Sequence, residues 1–167
     1  TTGTQASPPA SAQGAEIPPI ILDWRKIRGH EEKSTISNVT INGRKVQSAS
    51  FSSSIREEPL AAGGVPDESR TLNFAEHNEH LIFCEGVVPG ENVITFDFTS
   101  PILTSGSAIT RYVDKEDESE YLYSLFVPSD ASTAFPVFDQ PDIKARFTLS
   151  ASVPKSWKLI ANNFTGV

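Results

Sequence analysis

The sequence predicts an all-β fold, an antiparallel β sandwich, on three observations. Residues from 146 onward alternate strictly, with Phe147, Leu149, Ala151 and Val153 on one face and Arg146, Thr148, Ser150 and Ser152 on the other. That is the period of a half-buried strand. Asn42-Gly43 lies between the β-prone arms 36–41 and 44–46, a hairpin signal because both turn residues of a type I′ turn need positive φ. Finally, no long amphipathic helix is written anywhere in the chain, which leaves sheet packed on sheet.

In order along the chain, residues 1–19 are rich in Thr, Ser, Ala, Gly and Pro and hold few large apolar groups. Such a stretch does not offset its ordering entropy and is expected to be a flexible tail or linker before a β-sandwich domain at 20–167. Ile20-Ile21-Leu22-Asp23-Trp24 reads as a buried strand, and the charged stretch 25–33 as a solvated loop. After the hairpin, the serine clusters, Pro59, Gly63-Gly64 and Pro66 of residues 48–69 predict loops.

Thr71-Leu72-Asn73-Phe74 and Leu81-Ile82-Phe83 follow as short strands, and Pro89-Gly90-Glu91-Asn92 as a turn. Ile94, Phe96 and Phe98 share one face; burying each stabilises by roughly 1.5–3 kcal/mol before entropy is subtracted, so a central core strand is expected. Residues 121–127 are apolar on both faces, as in a strand covered on two sides and ended by Pro128. Residues 130–134 suit one helical turn capped by Ser129 or Asp130 and limited by Pro136. Trp157, Leu159 and Ala161 alternate after the turn at 154–156 and are expected to pair with the strand from Arg146.

The 167 residues suffice for one domain with a real core, and 38% hydrophobic with 21% charged residues argues against global disorder. No apolar run approaches the roughly 20 residues a bilayer crossing needs. A net charge of −7 disfavours a nucleic-acid surface, which needs clustered positive charge. The single cysteine, Cys84, has no internal disulfide partner and reads as a small buried core residue. The compartment stays unassigned by thiol usage, while the Ser/Pro-rich start leans toward a periplasmic or extracellular setting.

Catalytic chemistry finds little footing in these residues. Glu76-His77-Asn78-Glu79-His80 concentrates two histidines with two carboxylates, but it lacks a helix to converge them and reads as a solvated loop. His30-Glu31-Glu32-Lys33-Ser34 places Ser34 where the zinc-peptidase helix needs its second histidine. The acidic run Asp114, Glu116, Asp117, Glu118 and Glu120 lacks the glycine and spacing of a calcium loop. Asn-x-Thr sequons stand at Asn38 and Asn163.

One block carries more. Phe135-Pro136-Val137-Phe138-Asp139-Gln140-Pro141-Asp142-Ile143-Lys144-Ala145-Arg146-Phe147 resembles the Phe-Pro-Cys-Phe-Asp-Glu-Pro-x-x-Lys-Ala-x-Phe signature of the aminopeptidase N family of zinc metallopeptidases. The resemblance extends upstream through residues 106–114 and 120–124, and more loosely to residues 20–24 and 36–43. It implies a saddle-like β sandwich, a fragment or trimmed version of the family's amino-terminal domain, that packs on a catalytic domain of the same polypeptide. It further implies a scaffold and cleft-wall role in removing amino-terminal residues from peptides, with zinc held by a His-Glu-x-x-His motif absent from this chain. No cofactor and no catalytic residue is therefore expected here. Phe135, Pro136, Phe138, Asp139, Pro141 and Lys144 would be the structural motif.

By the same resemblance Leu125 and Val127 occupy the cleft positions where relatives present Gln-x-Glu or Gln-x-Gln to the substrate's α-amine. Neither side chain accepts a hydrogen bond, and losing a charge-assisted one costs about 1.5–3 kcal/mol. Ser132 stands where many relatives have Arg. These departures keep open a non-catalytic relative serving as a protein-interaction platform. An independent β-sandwich binding module, with Trp24 or Trp157 as an exposed platform, is a further alternative.

Overall fold

Runs of alternating apolar residues build the main sheet. The computed structural model describes residues 17–49 and 71–162. The strands are β1 (Ile20–Asp23), β2 (Thr35–Ile41), β3 (Arg44–Ala49), β4 (Leu72–His77), β5 (His80–Phe83), β6 (Ile94–Thr99), β7 (Ile109–Val113) and β8 (Glu120–Ser124). Short 3-10 turns occur at Glu31–Lys33 and Ala131–Thr133. The expected tail, except for residues 17–19, lies outside the described residues. So do the expected loops beyond Ala49 and the sequon at Asn163.

The first six strands form one sheet in the order β1-β5-β4-β3-β2-β6, and β7 pairs with β8 in a second. The fold is nearly all-β and sandwich-like. Its pairings are antiparallel except β3 with β4, which run parallel and make the main sheet mixed. Alternation puts Leu72 and Phe74 of β4, Leu81 and Phe83 of β5, and Val39 and Ile41 of β2 into one core with Leu22, Trp24 and Val46. Phe74 and Phe83 stack at 5.4 Å. Each fully buried group of this kind stabilises by about 1.5–3 kcal/mol before entropy.

Both tight hairpins follow from residues that tolerate positive φ. Asn42 and Gly43, at φ 50 and 79, turn β2 into β3. Asn78 and Glu79, at φ 47 and 64, turn β4 into β5, with His77 directly opposite His80. The His-rich segment is thus a two-residue hairpin turn rather than a loop, because burial of the flanking Phe74 and Leu81 fixes the register around it.

Other expectations are corrected. β6 is an edge strand of its sheet, not a central one, and Phe98 is 44% exposed. On the solvent side of its pairing with β2, Thr95 with Thr40 and Thr99 with Thr35 share hydroxyl hydrogen bonds at 2.6 and 2.7 Å. β8 forms but stops at Ser124, and all five of its residues are exposed, so it is not covered on two sides among the described residues. The turn before Trp157 closes, with the Trp157 N–H donating to Pro154 O at 2.9 Å, yet no ladder joins 146–153 to 157–161 among the described residues. Phe147 and Leu149 are 66% and 67% exposed. Alternation selects a face, but a strand persists only where a partner receives its N–H and C=O groups. Cys84 is half-buried rather than buried. Trp24 is 1% exposed and packs edge-on against Phe98 at 6.3 Å, which removes it as a surface platform.

Candidate functional site

The resemblance points to residues 125–139, and the fold shows how they are held. At the end of β8 the Leu125 N–H donates to Ala108 O at 2.8 Å, which continues the pairing of the second sheet by one bond. The chain then turns through 126–130, closed by the Asp130 N–H on Phe126 O at 3.0 Å. Phe126 is anchored edge-on against Phe135 at 5.5 Å. Leu125 and Val127 stand clear of this anchor, 60% and 74% exposed. Leu125 also borders an open recess with Ser105, Ser107, Thr110, Tyr123 and Asp130.

The 3-10 turn that follows is buried at Ala131, Ser132 and Thr133. Its expected side-chain cap does not form: Asp130 makes no capping bond and pairs instead with the Arg25 guanidinium. Thr133 supplies the local tie, its Oγ1 accepting from the Ala108 N–H at 3.0 Å and donating to Asp130 O at 2.7 Å. Ser132, for which the resemblance implied an Arg in relatives, is buried.

The Phe-Pro motif is wired to β1. Asp23 and Val137 exchange two main-chain bonds, of 2.7 and 3.1 Å. The Asp139 N–H donates to Asp23 Oδ2 at 2.8 Å, and Asp139 Oδ2 accepts from the Ser132 N–H at 2.9 Å. Pro136 is buried, Phe135 half-buried, Phe138 47% exposed, and Pro141 and Lys144 are exposed. Asp139 is therefore one link between β1 and the 3-10 turn. Reasoning from the sequence missed Arg25 and the role of Asp23; the only signal was an Asp ending an apolar run.

His77 and His80 face each other at the hairpin end of the sheet. His80 Nδ1 lies 3.1 Å from Asp23 Oδ1, and Lys26 pairs with Glu76. Among the described residues, no group of three or more His, Cys, Asp or Glu side chains is arranged to hold a metal ion. The acidic run caps its own hairpin: Asp114 Oδ1 accepts from the Glu116 N–H at 2.8 Å, and Asp117 Oδ1 from the Ser119 N–H at 2.9 Å. The latter bond, chiefly, holds the Asp117 carboxyl below the usual Asp range. Among the described residues no helix is long and apolar enough to cross a membrane.

Comparison with known proteins agrees with this motif. The family model described as the peptidase M1 N-terminal domain matches residues 26–165. An aminopeptidase N of Streptomyces lividans is 35% identical over 95 residues, 56% of this chain and 11% of that protein. A probable M1 family aminopeptidase of Encephalitozoon cuniculi is 26% identical over 132 residues, 76% of this chain and 14% of its own length. A glutamyl aminopeptidase of Sus scrofa is 38% identical over 53 residues, 32% of this chain and 6% of that protein. The chain thus spans only a small part of the length of these relatives. No solved structure matches it. The match covers most of the chain and includes the whole Phe-Pro motif, so this chain belongs to the peptidase M1 N-terminal domain family.

Proposed function

We propose that this chain is the scaffold and one wall of the substrate cleft of a zinc-dependent aminopeptidase. In this reading a catalytic domain on the same polypeptide removes amino-terminal residues from peptides. In the same reading residues 20–167 are the β-sandwich domain and 1–19 a tail or linker. The observation that carries the reading is the presentation of Leu125 and Val127, 60% and 74% exposed on a segment whose base is fixed at Ala108 and Phe135. A rigid base with exposed side chains is what a cleft wall requires, since ordering a loose loop on binding weakens affinity. The zinc and its water would belong to the catalytic domain.

The same two residues favour a second reading. Exposed apolar side chains at positions where relatives receive an ammonium suit a protein-interaction platform in a relative that has lost catalysis. The full-length gene product decides between them. Hydrolysis of amino-acyl anilides that a chelator abolishes supports the peptidase. Absence of both hydrolysis and stoichiometric zinc, with non-ligands in place of a downstream His-Glu-x-x-His, overturns it in favour of the platform.

A further inference from the structure

Arg25 lies two residues beyond the end of β1 and touches the candidate cleft segment three times. Its Nη2 donates to Ser129 O at 3.2 Å and pairs with Asp130 Oδ1, and its main-chain N–H donates to Ser132 O at 3.1 Å. Two of these partners, the Ser129 carbonyl and the Asp130 carboxylate, converge on a single nitrogen from within the turn that carries Val127. Asp130 directly precedes a 3-10 turn, where an Asp side chain ordinarily caps the free N–H groups. It makes no such bond here and reaches a residue 105 positions away instead. The neighbouring Asp23 holds Val137 and Asp139, so the two residues flanking Trp24 grip both ends of the stretch 129–139. Between them Trp24 is buried in the core, 1% exposed.

We propose that Arg25 is a positioning residue for the cleft wall: it locks the Val127-bearing turn to the end of β1, so that Leu125 and Val127 are presented in one arrangement. The proposal rests on the reading of those two residues as cleft wall. Arg25 has no contact with reacting groups in this reading, so its loss acts on binding and leaves the chemical step alone. A turn no longer locked must be ordered at each binding event, which raises KM.

The test uses the full-length protein carrying Arg25→Ala, Arg25→Lys or Asp130→Asn. Hydrogen exchange and steady-state kinetics on an amino-acyl anilide are measured for each. The pair is partly exposed, so Arg25→Ala is expected to speed amide exchange at 126–132 by about three- to tenfold, with β4 and β5 unchanged. KM rises by a similar factor while kcat stays within about twofold. Arg25→Lys restores most of both, because an ammonium can serve the two acceptors that share one nitrogen. Asp130→Asn, which keeps the oxygen but loses the charge, gives the same local pattern at smaller size and serves if Arg25→Ala does not fold. Unchanged exchange at 126–132 overturns the proposal, as does acceleration spread through β4 and β5, or a fall in kcat with KM untouched. A wild-type protein that hydrolyses no anilide sinks the cleft reading instead, and the exchange measurement alone then decides whether Arg25 locks the turn.

Discussion

The main-chain N–H of Asp139 donates to the Asp23 carboxylate at 2.8 Å, across 116 residues of sequence. The same carboxylate lies 3.1 Å from His80 Nδ1, and the Asp139 carboxylate in turn receives the Ser132 N–H. The conformation of the Phe-Pro motif therefore depends on β1, and β1 on the hairpin beside it.

Removing the shared acceptor tests that dependence. Asp23→Ala leaves the Asp139 N–H without its partner and should cost about 1–3 kcal/mol, whereas Asp23→Asn, which keeps an oxygen, should cost less. Urea unfolding midpoints at constant m measure the difference. Equal midpoints for wild type and Asp23→Ala would show that water replaces the carboxylate without loss.

Gly86 is held by close approach as well as by conformation. At φ +76, a Cβ added there would lie 2.6 Å from both Ile41 Cγ2 and Leu72 Cδ1. Ile41 and Leu72 are buried in the core and cannot swing aside freely. Gly86→Ala should destabilise by about 2–4 kcal/mol, combining overpacking with left-handed strain. Gly90→Ala, with φ +90 and open space, should cost only about 1–2 kcal/mol. Thermal or urea unfolding of the two variants side by side checks the order.

Asp117 should titrate below the ordinary Asp value of 3.8, chiefly through the Ser119 main-chain N–H and next through the Ser119 side chain, against a smaller opposing effect of burial. Its folded pKa is depressed, so its contribution to stability is full above the unfolded value and is lost as pH falls through the folded one. Side-chain carboxyl NMR should show Ser119→Ala moving the midpoint part of the way up, since the N–H remains. A midpoint at the unperturbed value in wild type would contradict the hairpin geometry.

At the cleft, Leu125→Gln with Val127→Glu in the full-length protein should tighten binding of free-amine peptides by roughly ten- to a hundredfold, the worth of a charge-assisted hydrogen bond. Amino-terminally acetylated peptides should gain nothing. Calorimetry on the two peptide sets reads this directly, and equal affinities before and after would place the two side chains away from the amine.

Much of the sheet was legible from local chemistry. Asn42-Gly43 specified its own turn, and the alternation in Leu72, Phe74, Leu81 and Phe83 specified which faces meet, because both signals lie within a few residues. The stretch from Arg146 to Val153 shows the limit: its alternation is as clean, yet it has no ladder among the described residues. Phe98 shows another, since alternation cannot tell an edge strand from a central one. Leu125 and Val127 were singled out only by resemblance, through the motif downstream of them, while Arg25 was hidden in a charged stretch that looked merely solvated.

The amino-acid sequence by itself determined the all-β class, the β2–β3 hairpin and the Phe-Pro motif, because each is written in neighbouring residues whose φ preferences and apolar period act over short range. Only the tertiary structure decided that β3 and β4 run parallel, that β6 lies at an edge, and that Asp23 and Arg25 hold the stretch 129–139 that follows Val127. These are contacts between groups a hundred or so residues apart or between whole strands. Which partner a strand or carboxylate takes is set by what the folded core leaves within reach, and no local pattern encodes that choice.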